Sequence, residues 1–215
     1  MKKILPLLLA VALLSGCAVG NKINYTNAQL SVKYPTKNRI ALGVQDRRAY
    51  VVAKKKDGNF VGVYRGGFGN PFDVTTKSTN NLSDDIEHII ARTMNQDDGH
   101  VVPFVIGVIT SNEELRQTIK NSNATKTLVV VINEWKSDST NSFFHRVTNF
   151  DFDLVAVVYG AKTEQLAMKV VKGTEQIAGG AMGGFSYVED AAPNVLRAKL
   201  EELLSGEVST ALNSN

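Results

Sequence analysis

Alternating apolar and polar residues mark the first strand of the folded part of the chain. Within Arg39–Asp46, the residues Ile40, Leu42 and Val44 fall on one face and Ala41, Gly43 and Gln45 on the other. A period of two is typical of a strand that packs one face on a core. Similar β-rich runs predict further strands at Phe60–Arg65, Val101–Ile109, Thr127–Trp135, Phe143–Tyr159 and Leu166–Ile177.

Two local sequence signals predict how some of these strands are connected or placed in the sheet. Asp57-Gly58 lies between the apolar runs Tyr50–Lys54 and Phe60–Arg65, and both of its residues tolerate positive φ, so the sequence predicts a hairpin there. Pro103 cannot donate a backbone hydrogen bond, which indicates that Val101–Ile109 is an edge strand or begins late.

Helical spacing predicts three helices. Leu82–Gln96 carries an apolar stripe with Ser83 as its predicted N-cap, and Ser111 followed by Glu114 reads as a capping box that opens a short second helix. Asp190–Leu212 repeats leucine and valine at helical spacing, with Pro193 placed in its first turn. The order of elements indicates an α+β fold, a mixed sheet with helices packed on one face, in a single domain.

The N-terminus has the layout of a secretion signal. Lys2 and Lys3 precede an apolar run from Ile4 to Leu14, and small residues follow. The run is roughly eleven residues, where a membrane-spanning helix needs about 20. We therefore divide the chain into a signal at residues 1–16, a polar tether at residues 17–38 with a short strand at Gln29–Tyr34, and a domain at residues 39–215.

Leu14-Ser15-Gly16-Cys17 resembles the lipobox of bacterial lipoproteins, and Cys17 is the only cysteine of the chain. The resemblance implies that Cys17 is acylated and becomes the first residue of the mature protein. Ala18 and Val19 follow it in place of the aspartate that tends to retain such proteins in the inner membrane. In a Gram-negative host this implies the outer membrane, with the domain facing the periplasm.

Charge and cysteine content limit the classes of function that the chain can have. Removing the two signal lysines from 24 basic residues leaves 22 against 21 acidic ones, so the mature chain is close to neutral. A nucleic-acid-binding protein would normally show a basic face, and none is indicated here. With Cys17 acylated, the domain has no disulfide, and its stability must come from a packed core.

The glycine-rich run from Arg65 to Pro71 is the most conspicuous candidate for a ligand or partner loop. Glycines let a backbone approach a phosphate closely, and an adjacent arginine could pair with it, so Arg65, Phe68 and Asn70 are the candidate contacts. The spacing matches neither a Walker loop nor the dinucleotide fingerprint. A loop that simply needs positive φ, with Phe68 packed as a plug, explains the same residues.

Other constellations favour structural readings. Asp46-Arg47-Arg48 could bind a lipid phosphate or an acidic partner, but a solvated strand end with a local ion pair also fits. The three histidines His88, His100 and His145 lack metal-ligand spacing. Asp151 and Asp153 alternate with core residues, as on a solvated strand face, and no serine elbow occurs. The cluster Ala178–Gly184 reads as a flexible connection or a partner-binding loop. We expect no catalytic residues, metal or cofactor.

The arrangement resembles that of small envelope lipoproteins, including the YajG-like lipoproteins and the auxiliary lipoproteins of ABC-type lipid transporters. The residues that carry this resemblance are Leu14–Cys17, the Arg39–Asp46 strand, the Gly66–Pro71 loop before the Leu82–Gln96 helix, and the Thr127–Trp135 strand. It implies a domain like the N-terminal domain of TolB. Three hypotheses follow: a non-enzymatic binding or accessory lipoprotein, an auxiliary subunit of a lipid-transport or envelope-assembly complex, and a periplasmic hydrolase.

Overall fold

The computed structural model describes residues 20–31, 38–66, 69–96, 100–104, 111–141, 146–179 and 184–214. Its strands, in chain order, are β1 (Asn21–Ile23), β2 (Arg39–Asp46), β3 (Phe60–Arg65), β4 (Pro71–Thr76), β5 (His100–Pro103), β6 (Lys126–Asn141), β7 (Arg146–Gly160) and β8 (Gln165–Gly179). Its α-helices are α1 (Ala49–Val52), α2 (Leu82–Met94), α3 (Asn112–Asn121), α4 (Ser186–Leu204) and α5 (Glu207–Asn213).

The sheet is mixed, and β6 is its organising strand. Along one edge β6 pairs antiparallel with β7, which in turn pairs antiparallel with β8. Along its other edge β6 pairs in parallel with β2 over its first half and with β3 over its second half. Strand β5 flanks β2, while β4 and then β1 extend the sheet beyond β3. Strands β6, β7 and β8 thus form an antiparallel meander, while β2 pairs in parallel with both β5 and β6.

One face of the sheet carries the main core. Alternate residues of the central strands, such as Leu42, Val130 and Leu154, are buried in a single cluster with the apolar stripes of α2, α4 and α5. Ala41, Val129 and Val157 occupy the intervening positions and are buried on the opposite face. The α+β class with helices packed on a mixed sheet therefore agrees with the prediction. None of the described helices is long and apolar enough to cross a membrane.

The residues predicted to form a tether are partly integrated into the fold. Asn21–Ile23 forms β1 beside β4, and Ile23, Tyr25, Ala28 and Leu30 are buried. The Trp135 indole N–H donates to the Tyr25 hydroxyl over 2.9 Å. The predicted start of the domain at residue 39 therefore lies too far along the chain. Residues 20–31 lack an apolar period of their own, and their contacts with β4 and Trp135 hold them in the fold. Gln29–Ser31 is not a strand, and the rest of the strand predicted at Gln29–Tyr34 lies outside the described residues.

The hairpin predicted around Asp57-Gly58 is wrong. Its first arm is the short helix α1, and the Gly58 carbonyl instead accepts hydrogen bonds from Leu82 N and from the Arg48 side chain. These long-range contacts override the local turn signal. The hairpin of this region is β3–β4, and its turn is the glycine-rich run after Arg65.

The predicted terminal helix is two helices. Gly206 adopts a φ of 66° between α4 and α5, which ends the helical hydrogen bonding. Because α4 already begins at Ser186, Pro193 lies inside this helix and not in its first turn.

The predicted helix starts and the predicted edge strand agree better with the structure. Ser111 Oγ accepts from Glu114 N over 3.2 Å, which confirms Ser111 as a cap. The Leu82 helix is confirmed, but its N-cap is Asn81 in place of the predicted Ser83. Strand β5 lies at the sheet edge, as Pro103 predicts, and the rest of Val101–Ile109 beyond Phe104 lies outside the described residues.

Candidate functional site

The glycine-rich run singled out in the sequence is the turn of the β3–β4 hairpin. Gly66 N donates to Asn70 O over 2.9 Å, and Asn70 is exposed. The Arg65 guanidinium donates to both carboxylate oxygens of Asp138, each over 3.1 Å. Arg65 and Asn70 therefore lie at the base of one turn, and a phosphate would have to compete with Asp138 for Arg65. Phe68 lies outside the described residues.

This turn lies at the end of the sheet where the described chain begins. Asn21 is in register with Val74 of the parallel strand β4, and a Cβ added to Gly20 would stand 3.1 Å from Asp73 O. Strand pairing brings Arg65, Asn141, Arg146 and Gly179 to the same level. We call this group the anchor end, defined by Gly20, Arg65, Pro71, Asn141, Arg146 and Gly179.

The opposite end of the sheet holds the C-terminus. Strands β2 and β6 begin there, and the Asn38 amide donates to the carbonyls of Leu212 and Ser214. The turn between β7 and β8 lies there too. We call this the far end, defined by Arg39, Lys126, Gly160, Gln165 and Ser214. The 16 residues of β6 connect the two ends, a length of about 50 Å at roughly 3.3 Å per residue.

The sheet face opposite the main core changes character along β7 and β8. Toward the anchor end it carries polar cross-strand pairs: Lys172 with Asp153, Thr174 with Asp151, and Gln176 with Asn149. Although partial burial opposes it, hydrogen bonds from Lys172 and Asn133 hold the pKa of Asp153 below its ordinary value. Asp151 and Asp153 thus form the solvated strand face that their spacing predicts. A general acid needs the opposite shift, a raised pKa.

Toward the far end the same face is apolar and open. Leu166, Met168 and Val170 of β8 are 39%, 45% and 50% exposed. Met168 is the cross-strand neighbour of Val157, and Val170 is that of Val155. No described strand pairs with the outer edge of β8. We call Leu166, Met168 and Val170 the β8 patch. The sequence predicted this strand but gave no sign that its second face is uncovered.

Arg48 is buried, which the sequence interpretation of a solvated strand end did not predict. Its side chain is fully buried, with Asp46 as ion-pair partner at 2.6 Å and the Gly58, Phe60 and Trp135 carbonyls as acceptors. Burial lowers the pKa of Arg48, but the hydrogen bonds and charge of Asp46 outweigh it, so the pKa rises. The local ion pair is confirmed, whereas the solvated strand end holds only for Arg47, which is exposed.

An acidic groove lies beside the start of α2. Asp84, Asp85, Glu87 and His88 line it, and its volume is about 470 Å³. Burial raises the pKa of Asp85 and of Glu87, and the neighbouring Asp84 charge adds to both shifts. His88 is exposed here and His100 is exposed on β5, whereas His145 lies outside the described residues. Within the described residues, no three His, Cys, Asp or Glu side chains form a metal-binding group.

The described residues on either side of the connection between β8 and α4 pack at the anchor end. Gly179 packs under the ring of Tyr187, whose hydroxyl is 2.7 Å from Thr148 Oγ1. Tyr64 of β3 meets Phe185 edge to face, with ring centroids 5.2 Å apart. Of the glycine cluster singled out in the sequence, Ala178–Gly184, residues 180–183 lie outside the described range.

Comparison with known proteins identifies the N-terminal segment. Residues 1–18 match the prokaryotic membrane lipoprotein lipid attachment site. The protein is therefore a lipoprotein that is anchored to a membrane of the cell envelope. Cys17 lies within the matched residues. No curated protein sequence matches the chain significantly.

Solved structures offer only distant likenesses. A neuraminyllactose-binding hemagglutinin homolog from Helicobacter pylori is 8% identical over 87% of this chain and 97% of its own, with a TM-score of 0.44. The PelC dodecamer of Paraburkholderia phytofirmans is 10% identical over 91% and 94%, with a TM-score of 0.38. Lipoprotein GNA1162 from Neisseria meningitidis is 10% identical over 76% and 96%, with a TM-score of 0.25. With TM-scores below 0.5, none of these likenesses bears on the function of this chain.

Proposed function

We propose that this lipoprotein is a non-enzymatic accessory protein that binds a partner protein of the cell envelope at the β8 patch. The observation that carries this proposal is the exposure of Leu166, Met168 and Val170 beside the outer edge of β8, with which no strand of the described residues pairs. A long edge strand with apolar side chains favours association with another chain. A partner strand could add its backbone to that edge and cover the patch with its side chains.

The energetics suit a specific but reversible complex. About half of each patch side chain is exposed, so covering it contributes roughly 1 kcal/mol per residue. Backbone hydrogen bonds along the edge of β8 would add to this. The patch lies toward the far end, away from the residues that follow the lipid anchor, which leaves it accessible to a partner that approaches from the aqueous side.

We further propose the outer membrane as the site of anchoring, with the domain in the periplasm. The support is the identity of Ala18 and Val19 after Cys17, together with the resemblance to YajG-like and transporter-associated lipoproteins. An auxiliary role in a lipid-transport or envelope-assembly complex is one form of the accessory function. Recovery of an inner-membrane transporter with the protein would establish that form.

The test is co-purification of the full chain from a Gram-negative envelope in mild detergent, with mass spectrometry of the N-terminal peptide and of the bound proteins. We compare the wild type with the double variant Met168→Glu, Val170→Glu. The control is Gln176→Glu, an exposed change on the same strand and the same face. In the wild type Gln176 Nε2 donates to Asn149 Oδ1, and rotation of the Asn149 amide by 180° lets its NH₂ group donate to the new carboxylate.

We expect acylated Cys17 in all three proteins. A partner retained by the wild type and the control should fall at least about tenfold in the double variant, because loss of about 2 kcal/mol of apolar burial exceeds the 1.4 kcal/mol of one decade. Equal recovery with the double variant would reject the β8 patch. A hydrolytic activity of the purified wild type on envelope material would reject the non-enzymatic role.

A further inference from the structure

The distance between the lipid anchor and the folded domain is very short. Cys17 is separated from Gly20 by three peptide links, which span at most about 11 Å at roughly 3.8 Å each. Gly20 is already beside Asp73, and β1 begins at the next residue. The described fold therefore begins almost at the membrane surface, and no long tether separates the two.

The direction of β1 determines which part of the domain is nearest to the lipid. Because β1 is parallel to β4, the end of β1 at which Asn21 lies is the end nearer to Pro71 and Phe72, the first residues of β4. Pro71 is exposed, and Phe72 is 37% exposed although it is a large aromatic residue. The far end, with the C-terminus, is about 50 Å away along β6.

We propose that the anchor end is a membrane-contact surface, and that Phe72 enters the headgroup layer of the membrane that holds Cys17. Aromatic side chains favour this layer, because it accommodates an apolar ring beside polar groups. Phe72 is paired across the hairpin with Tyr64, which is held by Phe185, so the ring is presented by a rigid element. This inference rests on the lipid anchor and does not depend on the partner proposed for the β8 patch.

Single-cysteine labelling tests the orientation directly. Cys17 is the only native cysteine and its thiol is consumed by the acyl anchor, so an added cysteine can be labelled alone. We place an environment-sensitive fluorophore at Asn70→Cys, in the anchor-end turn, and at Ala161→Cys, an exposed residue in the far-end turn. The acylated full chain is reconstituted in vesicles of phosphatidylethanolamine and phosphatidylglycerol, with or without lipids that carry a shallow nitroxide quencher.

We expect the nitroxide lipids to quench the probe at residue 70 several-fold more strongly than the probe at residue 161. Equal quenching of the two probes, or stronger quenching at residue 161, would overturn the proposed orientation. The emission of the buried Trp135 monitors folding of each variant, since it is the only tryptophan.

A second pair of variants tests the contact made by Phe72 itself. Phe72→Ser is compared with Val102→Ser, which removes a similarly exposed apolar side chain from β5 near the far end. The chain also carries a flexible 20-residue insertion between Val19 and Gly20, a length on the order of 25 Å for a Gly/Ser-rich coil. The insertion removes the constraint of the short link, so only the affinity of the surface keeps the residue 70 probe near the lipid.

With the longer link, we expect quenching at residue 70 to persist in the Val102→Ser protein and to fall several-fold in the Phe72→Ser protein. Identical quenching in the two proteins would overturn the role of Phe72. Loss of quenching in both would show that the link alone holds this end near the membrane, and would also overturn the proposed contact.

Discussion

At the residue scale, Arg48 shows how a charged side chain can organise a core. Its guanidinium is fully buried at the point where β2 ends, β3 begins and β6 passes, and it bonds to groups from all three places. Tyr50 lies beside it, and burial raises the pKa of that phenol far above its ordinary value, so Tyr50 stays neutral and donates to Glu134. A buried charge of this kind is tolerated only because nearly every donor has an acceptor.

Removing this arginine should be costly. In Arg48→Met, the Asp46 carboxylate and several carbonyl groups lose their donor while they stay largely buried, so the free energy of unfolding should fall by about 3–5 kcal/mol. Urea unfolding followed by Trp135 fluorescence measures the loss. The matched control is Arg47→Met, because Arg47 is exposed and its replacement should change stability by about 0.5 kcal/mol or less. Equal midpoints for the two variants would show that the buried network contributes nothing.

At the element scale, the interruption between α4 and α5 serves a contact with the sheet. Lys169 of β8 donates to Ser205 Oγ over 2.9 Å, and the chain turns at Gly206 so that α5 can pack against β7 and β8. Leu200, Leu204, Val208 and Leu212 keep a spacing of four residues through the interruption and are all buried. That continuous spacing is why the apolar pattern alone predicts one helix where the structure has two.

The variant Gly206→Ala distinguishes these two structures by the sign of its effect. At a φ of 66° and a ψ of −124°, a conformation that glycine adopts readily but that crowds the Cβ of other residues, alanine should lower stability by about 1–3 kcal/mol. No clash adds to this, since the nearest atom to an added Cβ is Lys169 Nζ at 3.9 Å. In a continuous helix the same change would raise stability by roughly 0.5–1 kcal/mol. Thermal unfolding gives the sign, and an increase in the midpoint would contradict the interrupted helix.

How much of each element the sequence could predict depends on the range of its contacts. The strands β2, β3 and β8 and the helix α2 follow from periodicity, because a buried face imposes its pattern on consecutive residues. The hairpin at Asp57-Gly58 could not be rejected locally, since its competitor is Arg48, ten residues away from Gly58. The same holds for the candidate site. The glycine-rich composition predicts a loop with Arg65 and Asn70, but the pairing of Arg65 with Asp138 joins residues 73 positions apart and could not be predicted locally.

At the scale of the whole molecule, the sheet separates the two proposed contact surfaces along its length. The anchor end combines the lipid-proximal residues with the β3–β4 turn, and the polar pairs of β7 and β8 lie next to it. The β8 patch and the C-terminus lie toward the far end. The segment that joins the folded domain to the membrane anchor is the one predicted as a tether, residues 17–38. Tyr25 lies within it, and its bond to Trp135 spans 110 positions of sequence, which no local pattern could reveal.

The folded domain should therefore begin at residue 20 and not at residue 39. A shortened chain that starts at Gly20 keeps β1 and the buried residues Ile23, Tyr25, Ala28 and Leu30, whereas a chain that starts at Arg39 loses all of them. Loss of Tyr25 alone opens a cavity beside Trp135 and leaves the indole N–H of Trp135 without a partner. This should lower the free energy of unfolding by about 3–5 kcal/mol. Typical domains are stable by only about 5–15 kcal/mol, so this loss should unfold much of the shorter protein.

Trp135 reports the outcome directly, because it is the only tryptophan and has no exposed surface. We expect blue-shifted emission and a cooperative thermal transition for the chain that starts at Gly20. The chain that starts at Arg39 should show red-shifted emission and a transition that is broad or much lower in temperature. If both chains melted alike, residues 20–31 would be a tether after all, and the short link between the anchor and the fold, on which the membrane-facing orientation depends, would be lost with them.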